Sequence, residues 1–596
     1  MNICMKFWKQ FVNKLSREQW ILIAIAAAGL LFRIEYLREF MALPHSGFAI
    51  GADVEEYHTR AQEILSGRVF PVHEDIHAPL YSWFLALLYW LTDSSIAWVR
   101  AVQLLLNFAA YAGITALLRR QKAPFGVQAG FFAGAMLVPV LFFHQAELIS
   151  ETLIAPLICA FLWLMEMGKS KRRCVAGAGV ILGGLILTHG LMLFFAVAEV
   201  GWALLRKRWQ VAALLAAGIM AAVVPVVVVK SVHYGKVTGI QGNSGYNLWI
   251  GHNPDATGGC YLRPGKSWRD PLNQVKKEAA ERGVSENRVF AGKIGHFYRT
   301  QPVQLVILLL KKLVLLLSPG EPVAGADPEA LIRMTPVQFY GSGMFAVVVV
   351  LALCGAYFAC CNREKRYEHY YLLVIAGTAA AVLTVVSGRY RQGMIPGILL
   401  LAALGAAKLD RKALYLAVAV FFAGTLMVAR NITGGAEAAS ILGEAEYRRG
   451  NIPQAKQHLL LAEQELDDPA RFDNMLGAIA EQEHDFNEAQ RRYRKALTGE
   501  PEFADAWLNL GALLFRQPGK RQEAVELLEQ GVKLDPAAHS GYNLLGVAAA
   551  ERGDFVAAEK YFALAVKHAP GNVNYENNLV KCRRLAARAE KQGKNK

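Results

Sequence analysis

Long uncharged apolar runs alternate with short polar stretches through roughly the first 430 residues of the chain. About eleven runs are candidates for crossing a ~30 Å hydrocarbon core, although several are short for that distance. The alternation predicts a bundle of helices in a membrane. The runs cover residues 20–32, 101–118, 123–143, 153–167, 175–187, 191–205, 211–229, 344–359, 371–386, 394–407 and 413–428.

The last part of the chain follows a different period. Glycines recur there at intervals of 34, 34 and 35 residues, at Gly443, Gly477, Gly511 and Gly546. Small, aromatic and proline positions recur in register with them, and the pattern resembles the tetratricopeptide repeat. Small residues at these places let the two helices of a hairpin approach closely. Residues 572–588 then predict the polar closing helix that a stacked array needs.

Composition agrees with a membrane protein. The 596 residues are 54% hydrophobic, and the mean hydropathy is +0.25. The formal charge of +15 is concentrated in basic clusters between apolar runs, so it indicates membrane orientation and not a nucleic-acid partner. The eight cysteines include no CxxC pair, which argues against a metal finger. The basic N-terminus imitates a signal peptide, but we expect no cleavage.

Orientation follows from counting spans. With the N-terminus inside, the first seven spans place the clusters at 119–122, 169–173 and 206–208 in the cytoplasm. Residues 303–317 carry Lys311 and Lys312 in their middle. If they lie in the membrane interface as an amphipathic helix, the clusters at 363–366 and 408–412 are also inside. We prefer that interpretation, and we expect residues 80–91 to form a second interfacial helix.

Residues 51–80 form an acidic, helix-prone stretch between apolar segments. Charge beside a membrane span is costly unless it faces water or has a function. Here the pattern resembles the first extracytoplasmic loop of lipid-carrier-dependent glycosyltransferases of the protein O-mannosyltransferase type, which have the GT-C fold. The residues that carry the resemblance are Asp53, Tyr57, Ala61, Gly67 and Pro79-Leu80-Tyr81.

Three further stretches are similar to patterns of that family. They read SETL at 150–153, GYNLWIG at 245–251 and RYR at 389–391. Two positions depart from it. His77 precedes Ala78 and the Pro-Leu-Tyr turn where family members often carry Arg, and His189-Gly190 stands where Arg-Pro commonly follows Leu-Thr.

The resemblance implies transfer of a sugar from a polyprenyl-phosphate carrier to a protein or glycan acceptor on the non-cytoplasmic face. A carboxylate must take the proton of the acceptor, and cations must stabilise the departing phosphate. Asp53 is the candidate base, and Glu151 is the second candidate catalytic carboxylate. Candidates for binding substrate or phosphate are Tyr57, Arg100, Tyr246, Asn247, Lys312, Arg389 and Arg391.

Each candidate also has a structural interpretation. Asp53 and Glu56 form a capping-box pattern, and Glu151 could favour a helix N-terminus. The arginines and Lys312 could anchor membrane segments, and Tyr246 and Asn247 could order their loop. No cofactor or metal site is predicted. A divalent cation is left open, because four histidines on the outer side could ligate a metal, but their lack of fixed spacing argues against it: His58, His73, His77 and His144.

The sequence as a whole therefore predicts an all-α chain. Residues 1–430 would form a polytopic GT-C-like glycosyltransferase domain, and residues 436–596 an α-solenoid of tetratricopeptide repeats that binds a protein partner. We expect a bacterial inner membrane, with the active site and the repeats on the periplasmic side. Two alternatives are a ligase or polymerase of lipid-linked oligosaccharides, and a non-enzymatic scaffold for envelope complexes.

Overall fold

The computed structural model describes residues 15–594 apart from 43–51, 71–76, 139–140, 142, 243, 257, 259–265, 318–335, 363, 432–435, 449, 466–468 and 570–571. Its regular structure in the described ranges is helical, which confirms the predicted fold class. The chain forms two compact units. The first comprises Met1–Arg263 and Asp270–Gly434, and the second comprises Pro264–Arg269 and Gly435–Lys596.

The helices that precede the repeats differ in length, and most of them are apolar. In chain order they are α1 Arg17–Ala42, α2 Ala52–Leu65, α3 Leu80–Thr92, α4 Ile96–Arg120, α5 Phe125–Leu137, α6 Ile154–Gly168, α7 Arg172–Thr188, α8 Met192–Leu205, α9 Trp209–Tyr234, α10 Ser244–Gly251, α11 Lys266–Arg282, α12 Glu286–Thr300, α13 Pro302–Leu317, α14 Pro336–Asn362, α15 Glu368–Leu383, α16 Ile395–Ala406 and α17 Arg411–Asn431. Short 3₁₀ turns at Ser150–Leu153 and Arg389–Gly393 precede α6 and α16.

Several of these helices suit a membrane. In the described residues, five are long and apolar enough to cross one, or six if α12 and α13, bent by 106° at their junction, form a single broken span. The other apolar runs also form helices, most of them shorter. The run at 123–143 yields a helix that ends at Leu137. The chain is a membrane protein by this evidence.

Glycines allow two helix pairs of this unit to cross closely. A Cβ on Gly218 of α9 would lie 2.4 Å from the carbonyl oxygen of Ala176 in α7. A Cβ on Gly405 of α16 would lie 2.1 Å from the carbonyl oxygen of Leu351 in α14. Close backbone contact of this kind is how helices associate where lipid removes the usual hydrophobic driving force.

The second unit repeats one helix pair. The pairs are α18 Ala436–Arg448 with α19 Ile452–Glu465, α20 Pro469–Gln482 with α21 Phe486–Gly499, α22 Ala504–Phe515 with α23 Arg521–Leu534, and α24 His539–Glu551 with α25 Phe555–His568, followed by α26 Val573–Lys594.

Each periodic glycine lies in the first helix of its pair, where a Cβ would come within 2.6–2.8 Å of a large side chain on the second helix. The side chains that fill those spaces are Leu459, Tyr493, Leu528 and Phe562. The glycines therefore recur at the spacing of the close contacts between paired helices, as the sequence pattern predicts.

Candidate functional site

The first unit brings together three chain segments that are distant in sequence. They are the first turn of α2, the 3₁₀ turn that opens α6, and the 3₁₀ turn between α15 and α16. Each segment contributes one charged side chain to a common cluster. The first supplies Asp53, the second Glu151 and the third Arg389. We call this group, with His77 and His189, the carboxylate cluster.

Arg389 binds both carboxylates of the cluster. Its Nη1 donates to Oδ2 of Asp53 at 2.5 Å, and its Nε donates to Oε1 of Glu151 at 2.9 Å. A second bond, from Nη2 to Oε2 of Glu151 at 3.3 Å, makes the latter pairing bidentate. A guanidinium suits this position because its planar donors match carboxylates on two sides.

The two carboxylates differ in access. The side chain of Asp53 is 31% exposed, whereas that of Glu151 is 1% exposed. The hydroxyl of Ser150 also donates to Glu151, at 3.1 Å. An incoming molecule can therefore reach Asp53, while Glu151 serves to hold Arg389 from behind. Asp53 lies inside the first turn of α2, which begins at Ala52, so its carboxylate serves the cluster instead of capping the helix.

Two histidines complete the cluster. Nε2 of His77 lies 3.5 Å from Oδ1 of Asp53 and 3.2 Å from Oε2 of Glu56. Its ring stacks on Tyr57, with ring centroids 4.6 Å apart. Nε2 of His189 lies 3.8 Å from Oε1 of Glu151. Both histidines thus stand beside carboxylates that Arg389 also contacts.

Charge pairing sets the protonation states. Burial alone would raise the pKa of Asp53, but Arg389 and then His77 outweigh it and hold that pKa well below its usual range. Burial alone would lower the pKa of His77, but hydrogen bonding and charge from Asp53 and Glu56 raise it to about 9. At neutral pH the cluster therefore contains an ionised Asp53 beside a protonated His77.

Arg100 was predicted to bind phosphate, and it lies within the protein. Its side chain is buried, and its Nε donates to the carbonyl of Ala146 at 3.0 Å. Its guanidinium also stacks over the ring of Phe40, 4.7 Å from the centroid. These contacts connect α4 to the segment before Glu151, outside the carboxylate cluster.

The GYNLWIG stretch forms α10, which packs on α12. The rings of Tyr246 and Trp249 lie 6.1 Å and 5.6 Å from that of Phe290. Tyr246 and Asn247 are both half-buried on this short helix.

The remaining predicted cations, Lys312 and Arg391, contact backbone carbonyls. Nζ of Lys312 donates to the carbonyl of Thr384 at 2.5 Å, and Nη2 of Arg391 to that of Leu315 at 2.9 Å.

An apolar groove begins beside the cluster. It is small and partly enclosed, and it is lined by residues of α8 and α15. Tyr390, the residue after Arg389, lies at one end, and its ring is 5.1 Å from that of His189. The other walls include Leu191, Phe195, Leu373, Ala376 and Ala380. A polar cluster and an apolar groove therefore meet at one point.

Sequence reasoning did not place His77 or His189 in the site. Both were visible as departures from the family pattern, and that was the signal available. Among the described residues, no three His, Cys, Asp or Glu side chains are grouped so that they could hold a metal ion. His58 instead contacts the hydroxyl of Tyr89 at 2.7 Å, and His144 contacts Glu147 at 3.0 Å. His73 and Arg363 lie outside the described residues.

Comparison with known proteins identifies one of the two units. A family model described as tetratricopeptide repeat matches residues 480–548. The C-terminal unit is a tetratricopeptide repeat domain. The match includes Gly511 and Gly546 and confirms the tetratricopeptide pattern there, and such repeats are generally protein-interaction modules.

One curated relative also matches. Protein O-mannosyl-transferase TMTC3 of Homo sapiens is 31% identical over 140 residues, which are 23% of this chain and 14% of that protein. The chain thus aligns with only a small part of the length of the relative.

Solved structures resemble parts of the chain. A crystal structure of MamA has 21% identity and a TM-score of 0.21, covering 25% of this chain and 88% of MamA. PilF of Pseudomonas aeruginosa has 22% identity and a TM-score of 0.24, covering 32% and 88%. YrrB, described as a tetratricopeptide repeat protein with an unusual peptide-binding site, has 19% identity and a TM-score of 0.20, covering 30% and 84%.

The raised pKa of His77 predicts a stability change with pH. A group whose pKa is raised by folding stabilises the fold fully below its unfolded value, here about 6.5, and loses that contribution as the pH passes the folded value of about 9. Up to about 3 kcal/mol should therefore be lost between these limits. Thermal unfolding in detergent from pH 6 to pH 10 measures it. The slope should shrink in His77→Gln and persist in His296→Gln, whose histidine is exposed. Equal slopes in all three proteins would contradict the assignment.

Proposed function

We propose that the chain is a membrane glycosyltransferase that moves a sugar from a polyprenyl-phosphate carrier to an acceptor. The observation that carries the proposal is the Asp53–Arg389–Glu151 arrangement at the mouth of an apolar groove. A donor of this class needs a cation for its phosphate, a carboxylate for the proton of the acceptor, and an apolar surface for its lipid. All three lie next to each other. The partial match to a protein O-mannosyl-transferase supports the same reaction class.

Arg389 has two tasks in this scheme. Without donor it neutralises Asp53 and Glu151. The donor phosphate competes with Asp53 for the guanidinium, and protonated His77 is the second cation within reach. When Arg389 turns toward the phosphate, Asp53 loses a positive neighbour and its basicity rises. Donor binding thus raises the basicity of Asp53. The bonds from Nε and Nη2 to Glu151 meanwhile hold the rest of the guanidinium, so that only Nη1 changes its partner.

The transfer itself forms one bond and breaks one. The hydroxyl oxygen of the acceptor attacks the anomeric carbon, and its proton passes to Asp53. The bond between that carbon and the phosphate oxygen breaks, and its electron pair remains on the phosphate. Arg389 and His77 stabilise the resulting charge in a partly enclosed site, where charge–charge interactions are strong. The lipid phosphate then leaves along the groove.

Replacing Asp53 tests the proposal directly. Asp53→Asn removes the proton acceptor but keeps a side chain of the same size, so transfer should fall by at least about 100-fold. Binding of the polyprenyl-phosphate donor should persist. Asp93→Asn is the matched control, because Asp93 is exposed at the end of α3. Transfer is measured in proteoliposomes with purified donor, and the melting temperature of each variant reports folding. Wild-type transfer by Asp53→Asn would contradict the assignment of Asp53 as the base, whereas absence of transfer by the unmodified protein would favour the non-enzymatic scaffold.

Filling the groove should separate lipid binding from chemistry. Ala380→Phe places a ring where a chain would lie, whereas Ile375→Phe on the same helix points outward, since Ile375 is 61% exposed. Loss of contact with about two methylene groups, at ~0.8 kcal/mol each, raises the KM for donor roughly tenfold. The effect should vanish with a donor whose lipid is cut to a few carbons. An equal KM increase with both donors would show that the groove does not hold the lipid.

The repeat domain is proposed to lie on the same side of the membrane as Asp53, in a bacterial periplasm. There it could present a protein acceptor to the site or bind a partner enzyme. The support is the distribution of basic clusters, which requires that residues 303–317 do not cross the membrane.

A single cysteine at Gly499 tests this placement. Gly499 ends α21 in the open, with nothing within 4 Å of an added Cβ. A membrane-impermeant thiol reagent should label it in spheroplasts. Labelling only after permeabilisation would place the repeats in the cytoplasm.

A further inference from the structure

The distribution of side chains on helix α13 is the reverse of that on an ordinary surface helix, because apolar residues face outward and a lysine faces inward. Large apolar side chains cover its outer face at helical spacing, and the most exposed are Val303, Ile307, Leu310 and Val314, at 73%, 60%, 59% and 69%. Lys312 lies on the opposite face and is fully buried. A lysine that anchored a membrane helix would extend outward to water. Lys312 extends inward, so its charge serves the interior of the unit.

The interior supplies three polar contacts for Nζ of Lys312. Nζ lies 2.5 Å from the carbonyl oxygen of Thr384, 3.2 Å from that of Val382 and 2.8 Å from Nε2 of His252. The two carbonyls belong to the C-terminal end of α15, where helix carbonyls lack partners and the helix dipole favours a cation. The ammonium therefore completes the end of α15.

His252 extends this contact to α12. Burial and then the charge of Lys312 lower the pKa of His252 to about 4, so its ring is neutral. Nε2 of the ring lies 2.8 Å from Nζ of Lys312, and Nδ1 lies 2.8 Å from the hydroxyl of Tyr298 in α12. Nε2 also lies 3.1 Å from the carbonyl oxygen of Leu383, at the end of α15. Lys312 of α13 thus contacts the end of α15 directly, and it is connected to α12 through His252, which follows α10.

The glycine at the end of α10 is required for this meeting. A Cβ on Gly251 would lie 1.9 Å from the carbonyl oxygen of Thr384 and 3.2 Å from Nζ of Lys312. Any side chain there would displace α10 from the backbone that Lys312 holds. The IGHN part of the sequence therefore encodes a packing site for α15, in addition to any contact with substrate.

The backbone that Lys312 holds continues directly to Arg389. The amide of Val386 donates to the carbonyl of Gly258 at 3.1 Å, and Ser387 is fully buried. Beyond Arg389, Arg391 donates to the carbonyl of Leu315, which returns the chain to α13. The segment 384–391 is thus fastened to α13 at both ends, and Arg389 lies between the two attachments.

We propose that Lys312 is a positioning residue whose buried ammonium holds the 384–391 segment so that Arg389 reaches Asp53 and Glu151. Its Nζ is engaged by three contacts and its side chain is buried, so it acts through Arg389 and does not bind the donor phosphate. The outward apolar face of α13 seats the same helix in lipid, which connects the membrane to the placement of Arg389. The catalytic part of this inference rests on the proposed function, but its structural part does not.

A labelling experiment tests the structural part. The full-length protein is placed in lipid nanodiscs with Ser387→Cys as a reporter, and the modified peptide is quantified by mass spectrometry. Lys312→Met, which keeps the length of the chain without the charge, should speed labelling of residue 387 at least about tenfold, because the segment opens locally. Lys311→Met is the matched control and should change nothing, since Lys311 is exposed. Equal labelling in all variants would overturn the proposal whether or not the protein is an enzyme.

A double-mutant cycle tests the catalytic part. Lys312→Met alone should lower kcat for sugar transfer at least about tenfold. In an Arg389→Lys background the same substitution should lower kcat less than about twofold, because the effects of coupled residues are not additive. Additive losses would overturn the proposal. So would a KM increase for donor with unchanged kcat and unchanged labelling, which is the result expected of a phosphate ligand. If wild-type protein transfers no sugar, the proposed function fails while the labelling result still decides the role of Lys312.

Discussion

The buried guanidinium of Arg389 is the constraint on which the membrane unit depends. A charge enclosed in an apolar helix bundle is costly unless opposite charges meet it with good geometry. Asp53 and Glu151 do so, and they lie 336 and 238 residues away in the chain. Three distant segments must therefore come together for any of them to be stable. If Arg389 were removed, Glu151 would be left as a buried, unneutralised carboxylate.

That constraint explains why helix α6 begins as it does. The 3₁₀ turn Ser150–Leu153 at its start presents Glu151 to Arg389. It also explains why several contacts hold residues 384–391 in place. Lys312 and Arg391 hold this segment from α13, and Gly251 clears space for it. The groove between α8 and α15 ends at Tyr390 on the same segment, so the polar and apolar parts of the candidate site share one short piece of backbone.

The two units are organised by different physics. In the repeat domain, every helix pair is closed by a glycine facing a large side chain, so each contact is local and the pattern recurs in the sequence. In the membrane unit, the decisive contacts are ion pairs and lysine-to-carbonyl bonds between elements far apart in the chain. Contacts between neighbouring helices therefore produce a period in the sequence. Ion pairs between distant segments produce no such period.

The sequence by itself determined what local periodicity can encode. Apolar runs predicted the helices of the membrane unit, and glycines at a 34-residue interval predicted the repeat domain and its close-packed pairs. The family resemblance also singled out Asp53, Tyr57, Glu151 and Arg389, which the fold brings together. Only the tertiary structure placed His77 and His189 beside those carboxylates, and only it turned Lys312 inward. The reason is physical. A helix period states which face of an element is apolar, but the partner of a buried charge is chosen by folding, across any distance in the chain.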